Sequence, residues 1–239
     1  MTLAEEEAEM LAELKAISQR CSDDRFSLLE RKVVQCDKDD DGHASTFLMK
    51  NPEDPTTNQY WYSKPTIDAL AGECASLIET RIFSGDTEFK VAFLSTPSLY
   101  FALPPSLRKC CFVFDYDRKW ENDKGFVFYD FNSPTTFTGQ DLESKFDMVV
   151  IDPPFITREV WEKYAETSKF LLKEEPKAGN LSGLFLGTTV VENASMIEEL
   201  LGGLPTAFQP NIPNLVYQYN SYANFGDLQW LCKSNDEIL

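Results

Sequence analysis

The chain has 239 residues, 43% of them hydrophobic and 13% aromatic, with a net charge of −17 from 39 acidic against 22 basic side chains. This composition fills one α/β domain with an appendage but is tight for two independent cores. So acidic a surface repels phosphate backbones, since nucleic-acid binders carry a basic face; it either attracts a basic protein or simply keeps the chain soluble.

Residues 3–20 place Leu3, Met10, Leu11, Leu14 and Ile17 near helical spacing, which predicts an amphipathic helix within an N-terminal extension over 1–35. Its Glu5, Glu6, Glu7 and Glu9 give the wrong charge for a signal or transit peptide. No run approaches the roughly 18 uncharged apolar residues of a membrane span, so a cytoplasmic protein, without a membrane and read as a monomer, is expected. Asp37 to Gly42 and Asn51 to Thr57 break all periodicity, and 36–57 reads as a flexible acidic linker. The string Asp37-Lys38-Asp39-Asp40-Asp41-Gly42 has the outline of a calcium loop, but Phe47 to Lys50 stand where its last acidic ligand belongs.

A folded domain is expected over 58–239. Ser63 to Ile82 reads as a helix, with Ser63 as N-cap and Pro65 in the first turn. Strands follow at Lys90–Leu94, Cys110–Phe114, Gly125–Tyr129 and Phe146–Ile151, then a helix at Thr157–Leu172. A fifth strand at Leu181–Val191, a helix at Asn193–Leu201 and an antiparallel pair at Thr206–Pro210 and Val216–Asn224 close the domain. Apolar strands alternating with helices signal an open, largely parallel sheet. Its ligands bind beyond the carboxyl ends of the strands, where Ser95, Asp115, Asp130 and Asp152 stand. The six cysteines form no CxxC pair and His43 is the only histidine. Adjacent Cys110 and Cys111 should face opposite ways in a strand, so no metal site is expected.

Asp152-Pro153-Pro154-Phe155 directly follows the fourth strand. Two prolines can continue neither a ladder nor a helix interior, so the chain leaves the sheet as a rigid turn. That turn would aim the Asp152 carboxylate and the Pro153 carbonyl at one spot, beside the Phe155 ring, which suits an amine held by two N–H bonds. The alternative is a proline-rich connection with a helix-starting aspartate. Three adjacent aromatics, Tyr60, Trp61 and Tyr62, precede the first core helix as a possible lid. They cannot all be buried on one face, so at least one should border a pocket, with core packing for the others. Asn214, Tyr219, Tyr222 and Asn224 could line a channel for an incoming side chain, or form a polar sheet edge.

D/N-P-P-Y/F/W after strand four is the hallmark of amino-methylating enzymes of the seven-strand class I methyltransferase fold. The wider series runs Gln59–Ser63, Ser95–Tyr100, Phe114–Asp117, Phe128–Asn132, Asp152–Phe155, Asn214-Leu215 and Tyr222–Phe225. Over about residues 58–232 it resembles the eukaryotic elongation factor 1-alpha lysine methyltransferase family, first named as putative N6-adenine DNA methyltransferases for the same tetrapeptide. The resemblance implies a Rossmann-like class I fold: a seven-stranded, mostly parallel sheet with a C-terminal antiparallel pair, plus the N-terminal helical extension. It implies S-adenosylmethionine as cofactor, S-adenosylhomocysteine as product, and a basic protein, elongation factor 1-alpha, as partner. Ser95, Thr96 and Pro97 would replace the usual glycine-rich loop around the methionine part. Asp115 would take the ribose hydroxyls, with Asp117 either beside it or a helix cap. Asp130 would accept from the adenine amine, flanked by at most one of Tyr129 and Phe131. Asp152, Pro153, Pro154 and Phe155 would be catalytic, and Tyr60, Trp61, Tyr62, Asn214, Tyr222 and Asn224 would meet substrate.

Two rivals stand beside this reading. One is an adenine-amine acceptor in DNA or RNA, with Phe155 stacking on a flipped base; the other is a non-catalytic Rossmann-like binding module. A nicotinamide enzyme would need G-x-G-x-x-G, which the chain lacks.

Overall fold

The structure, a computed structural model, describes residues 42–54, 59–137, 139–173 and 183–238. The chain divides after Gly42 into two units, and the second, His43–Leu239, carries the sheet. The expected N-terminal helix and the Asp37–Asp41 string lie outside the described residues.

Within the expected linker, Gly42–Lys50 instead forms helix α1. Nine residues are too few to hold a helix in water unaided. Burial of Ala44 and Phe47 holds this one. The Phe47 ring meets Trp61 edge-on at 5.0 Å and stacks on Trp120 at 5.8 Å. The charged and proline-rich flanks hid this short apolar pair from a reading by periodicity.

Helix α2 spans Lys64–Phe83, and the Ser63 hydroxyl accepts from the Thr66 amide, with Pro65 in the first turn, as expected. Strands β1 (Val91–Leu94), β2 (Cys111–Asp115), β3 (Phe126–Phe128) and β4 (Met148–Ile151) sit within one or two residues of their sequence positions. Helix α3 (Pro97–Ala102) follows β1, and α4 (Arg158–Leu171) follows β4. Strand β5 (Leu184–Val190), helix α5 (Ala194–Leu201), β6 (Leu204–Pro205) and β7 (Tyr219–Ala223) complete the order. The expected strand at Thr206–Pro210 is displaced: only Leu204 and Pro205 pair with β7, and the chain from Thr206 is tied by hydrogen bonds to Ser221.

The seven strands lie in the order β3-β2-β1-β4-β5-β7-β6. The first five run parallel, and β7 alone is reversed, antiparallel to both β5 and β6. This is the seven-stranded class I arrangement the resemblance implied. Side-chain alternation divides the core between two faces. Val91, Phe93, Val113, Met148, Val150 and Leu186 pack with α2 and α3 on one. Ala92, Leu94, Phe114, Val149, Ile151 and Phe185 pack with α4 and α5 on the other.

Cys110 and Cys111 depart from expectation. Cys110 ends a 3-10 turn rather than opening the strand, and both thiols donate to the Leu107 carbonyl, at 3.1 and 3.3 Å. Among the described residues no group of three or more His, Cys, Asp or Glu side chains could hold a metal ion, and no helix is long and apolar enough to cross a membrane.

Candidate active site

Strand order reverses at β1, whose neighbours β2 and β4 lead the chain to opposite sides of the sheet. The crevice at such a switch point is where an open α/β sheet holds its ligand. Register sets the site: Leu94 pairs with both Phe114 and Ile151, so Ser95, Asp115 and Asp152 follow in line across three neighbouring strands. The Ser95 amide donates to the Phe114 carbonyl at 2.8 Å, and the Asp152 amide to the Leu94 carbonyl at 3.3 Å.

Ser95 has φ of 55°, the left-handed backbone that glycine favours. It turns the chain at the point where a glycine-rich loop would otherwise stand, and its hydroxyl shares a 2.6 Å hydrogen bond with Tyr164 of α4. Thr96 is 2% exposed and its Oγ1 has no hydrogen-bond partner among the described residues. An orphaned buried hydroxyl of this kind costs about 1–3 kcal/mol unless a ligand satisfies it. Asp115 is 7% exposed, and burial lifts its carboxyl to about 6 against a bond from the Asp117 amide. A buried carboxylate short of donors fits a pair of hydroxyls. Asp130 accepts from the Asn132 amide and side chain, both on Oδ1. These features fit the polar parts of a nucleoside cofactor.

Asp152 follows β4 beneath a phenol. The Tyr62 hydroxyl donates to Asp152 Oδ2 at 2.5 Å and shares a 2.6 Å bond with Thr188 Oγ1 of β5. Burial pushes the Asp152 carboxyl up to about 7, with the Tyr62 hydrogen bond and the Thr188 hydroxyl behind it pulling the other way. Phe155 is half exposed, and its ring meets Phe131 at 6.4 Å, which in turn meets Tyr164 at 6.3 Å. Asn193 holds the turn after Phe155 by donating to the Ile156 carbonyl and to Thr189 Oγ1.

Residues 59–63 cross this edge as a strap. At one end Gln59 donates to Asp117 Oδ2 and accepts from Lys119. At the other the Ser63 amide donates to the Asn211 carbonyl. Between them Trp61 is buried, its amide on Glu53 Oε1 and its indole N–H on the Asn51 carbonyl. Of the three adjacent aromatics, Tyr62 thus meets Asp152, Trp61 packs against α1, and Tyr60 is half buried against the core. A recess of about 420 Å³ flanks the strap, lined in part by Glu53, Trp61, Tyr62 and Glu237.

Several sequence-based assignments do not gather here. Asp117 caps the 3-10 turn at Arg118–Trp120 and anchors the strap, so its oxygens are committed. Tyr129 is core: its hydroxyl bonds Thr167 and its ring packs with Phe114, Phe137 and Tyr164. Asn214 is exposed and donates to Glu53 Oε2. Tyr222 is buried on the α4 face, with its hydroxyl on the Val190 carbonyl. Asn224 bonds the Phe185 amide and the Gly183 carbonyl, at the opposite edge of the sheet. The cause is the reversal of β7: its first residue, Tyr219, pairs with Val190 near the site edge, and its later residues run away from it. Thr188 and Tyr164 were not singled out by the sequence, whereas Tyr219 was named there with the candidate channel residues. The Thr188-Thr189 pair in an otherwise apolar strand was the signal for the first; Tyr164 reads as any buried aromatic of an amphipathic helix.

The family described as Probable N6-adenine methyltransferase matches residues 53–227. The chain is 30% identical over 176 residues to the Homo sapiens EEF1A lysine methyltransferase 1, across 70% of this chain and 73% of that one. It is 28% identical over 193 residues to the Saccharomyces cerevisiae Protein-lysine N-methyltransferase EFM5, across 74% of each. To the Gallus gallus EEF1A lysine methyltransferase 1 it is 34% identical over 150 residues, across 61% of this chain and 66% of that one.

Proposed function

Because the chain belongs to the family described as Probable N6-adenine methyltransferase, and is a protein-lysine N-methyltransferase like the relatives it matches, we propose that it uses S-adenosylmethionine to methylate a lysine of elongation factor 1-alpha. The observation that carries the site assignment is Asp152: a partly buried carboxylate at the switch point, held by a phenol, at the head of a rigid Pro-Pro turn.

S-adenosylmethionine, when bound, supplies a methyl group on a positively charged sulfur. Asp115 is assigned to the ribose hydroxyls, Asp130 to the adenine amine, and the Ser95–Pro97 turn with the Thr96 hydroxyl to the methionine part. A lysine amine is protonated in water, with a pKa of about 10.4, and must lose a proton before it can act as a nucleophile. Desolvation against Phe155 and Tyr219 favours its neutral form. Asp152, raised to about 7, is a better base than an ordinary carboxylate. It accepts an amine N–H, fixes the direction of the lone pair and stabilises the ammonium product. Alignment of nucleophile and methyl group then supplies most of the rate.

A second reading, transfer to the exocyclic amine of adenine, is favoured by the family description and opposed by the net charge of −17. The test is methyl transfer from radiolabelled S-adenosylmethionine to elongation factor 1-alpha, a total protein extract and adenine-containing oligonucleotides. Wild type and Asp152→Ala are compared on each. Label on the elongation factor that vanishes in the variant, with cofactor affinity intact, is the expected result. Label on oligonucleotides alone would transfer the assignment to adenine, and an active Asp152→Ala would remove Asp152 from the site.

A further inference from the structure

We propose that Tyr62 and Thr188 are positioning residues for methyl transfer: a relay from the Thr188 hydroxyl through the Tyr62 phenol to Asp152 Oδ2 fixes the orientation of the carboxylate toward the incoming amine. The inference rests on the assignment of Asp152 to the amine and adds to it two residues from distant parts of the chain.

The geometry assigns the protons. A phenol has a single proton, and at 2.5 Å from a carboxylate oxygen it is donated there. The oxygen of Tyr62 is then an acceptor, so Thr188, 2.6 Å away, is the donor of the second bond. Burial and the neighbouring carboxylate push the phenol well above its ordinary value, so Tyr62 remains a donor throughout the working pH range. Thr188 is 2% exposed on β5, where it pairs in register with Ser221, and cannot swing away. Tyr62 is fixed on both sides by the anchors of Trp61 and Ser63. Oδ2 is thereby committed, and Oδ1 receives the amine N–H.

The other titratable groups that sense Asp152 are Tyr219 of β7 and Tyr164 of α4, both neutral phenols held up chiefly by burial. With no cation among them, the hydroxyl bonds are what hold the Asp152 carboxyl down against its burial. Removing either bond raises the carboxyl further, and the base is then protonated over more of the neutral range.

The experiment compares pH profiles of kcat/KM for wild type, Tyr62→Phe, Thr188→Val and Thr188→Ser, with Asp152→Ala as reference and cofactor Kd measured for each. Expected are an acid limb moved to higher pH by half a unit or more in Tyr62→Phe and Thr188→Val, a fall of about tenfold in kcat at neutral pH, unchanged cofactor Kd, and return toward wild type in Thr188→Ser. Reduced activity with an unmoved acid limb would overturn the proposal, leaving the pair a packing role. So would unaltered profiles in both variants while Asp152→Ala is inactive. A fully active Asp152→Ala would instead sink the underlying site assignment. Because the two substitutions lie on separate elements, misfolding of one leaves the other to decide.

Discussion

Asp152 and Asp115 are carboxyls raised by burial, to about 7 and about 6, which gives a definite sign to the pH dependence of stability. Between the unfolded value near 4 and the folded value, the native state holds the extra proton, so the contribution of these two groups to stability is greatest below about pH 4 and falls as pH rises to the folded value. Each pH unit costs about 1.4 kcal/mol per group. Asp152→Asn keeps an acceptor for Tyr62 and removes the ionisation. It should therefore raise the thermal midpoint at pH 8 and leave it almost unchanged at pH 4. Melting curves at the two pH values check this, and an equal rise at both would mean that burial does not penalise the charge. At this scale the sequence spoke through residue type and strand position. It placed Ser95, Asp115, Asp130 and Asp152 at or just past strand ends because polar side chains closing apolar strands stand out. It could not tell a buried Asp115 from a capping Asp117, since the two differ only in which backbone amides lie within reach of each carboxylate.

Helix α1 shows how an element escapes a periodicity argument and still governs the site. One buried turn around Phe47 fixes Trp61, and Trp61 fixes the neighbouring Tyr62. Phe47→Ala should cost about 3 kcal/mol of stability, read by denaturant unfolding, and should lower activity more than cofactor affinity. A second element-level device lies at the other end of the chain. Glu73 of α2, 3% exposed, accepts from the amides of Gln229, Trp230 and Leu231. Trp230 lies so close to α2 that a Cβ on Gly72 would sit 2.8 Å from its ring. Glu73→Ala leaves three amides without their acceptor, a loss of about 3 kcal/mol. Trypsin should then cut at Lys233 much faster than in wild type; unchanged cleavage would show that the tail is held by its apolar contacts alone. The parallel strands were legible because each is a short apolar run closed by a polar residue. The two-residue β6 was not, because register with β7 rather than its own composition makes Leu204 and Pro205 a strand.

For the whole molecule, the open, mostly parallel character of the sheet followed from alternating strands and helices, and its seven strands from the family likeness; the strand order came only with the structure. The reversal of β7 was anticipated too, yet its consequence for which residues reach the site edge was not drawn from sequence. The charge of −17 makes a prediction on this scale. If the acceptor is a basic protein, kcat/KM should fall steeply from about 50 to about 300 mM salt as the field is screened, with kcat little altered. A flat response would leave the acidity a matter of solubility alone.

The strap also bears on how the molecule acquires activity. The Tyr62–Asp152 and Tyr62–Thr188 bonds join residues 90 and 126 positions apart. Such closures are entropically expensive and form after local structure. A refolding chain should recover its helical and sheet signal before it recovers full turnover, and a chain shortened to begin at Lys64 should retain every strand of the sheet yet turn over at least about tenfold more slowly. Competence to transfer methyl groups is thus a late event, reserved for molecules whose distant segments have all met.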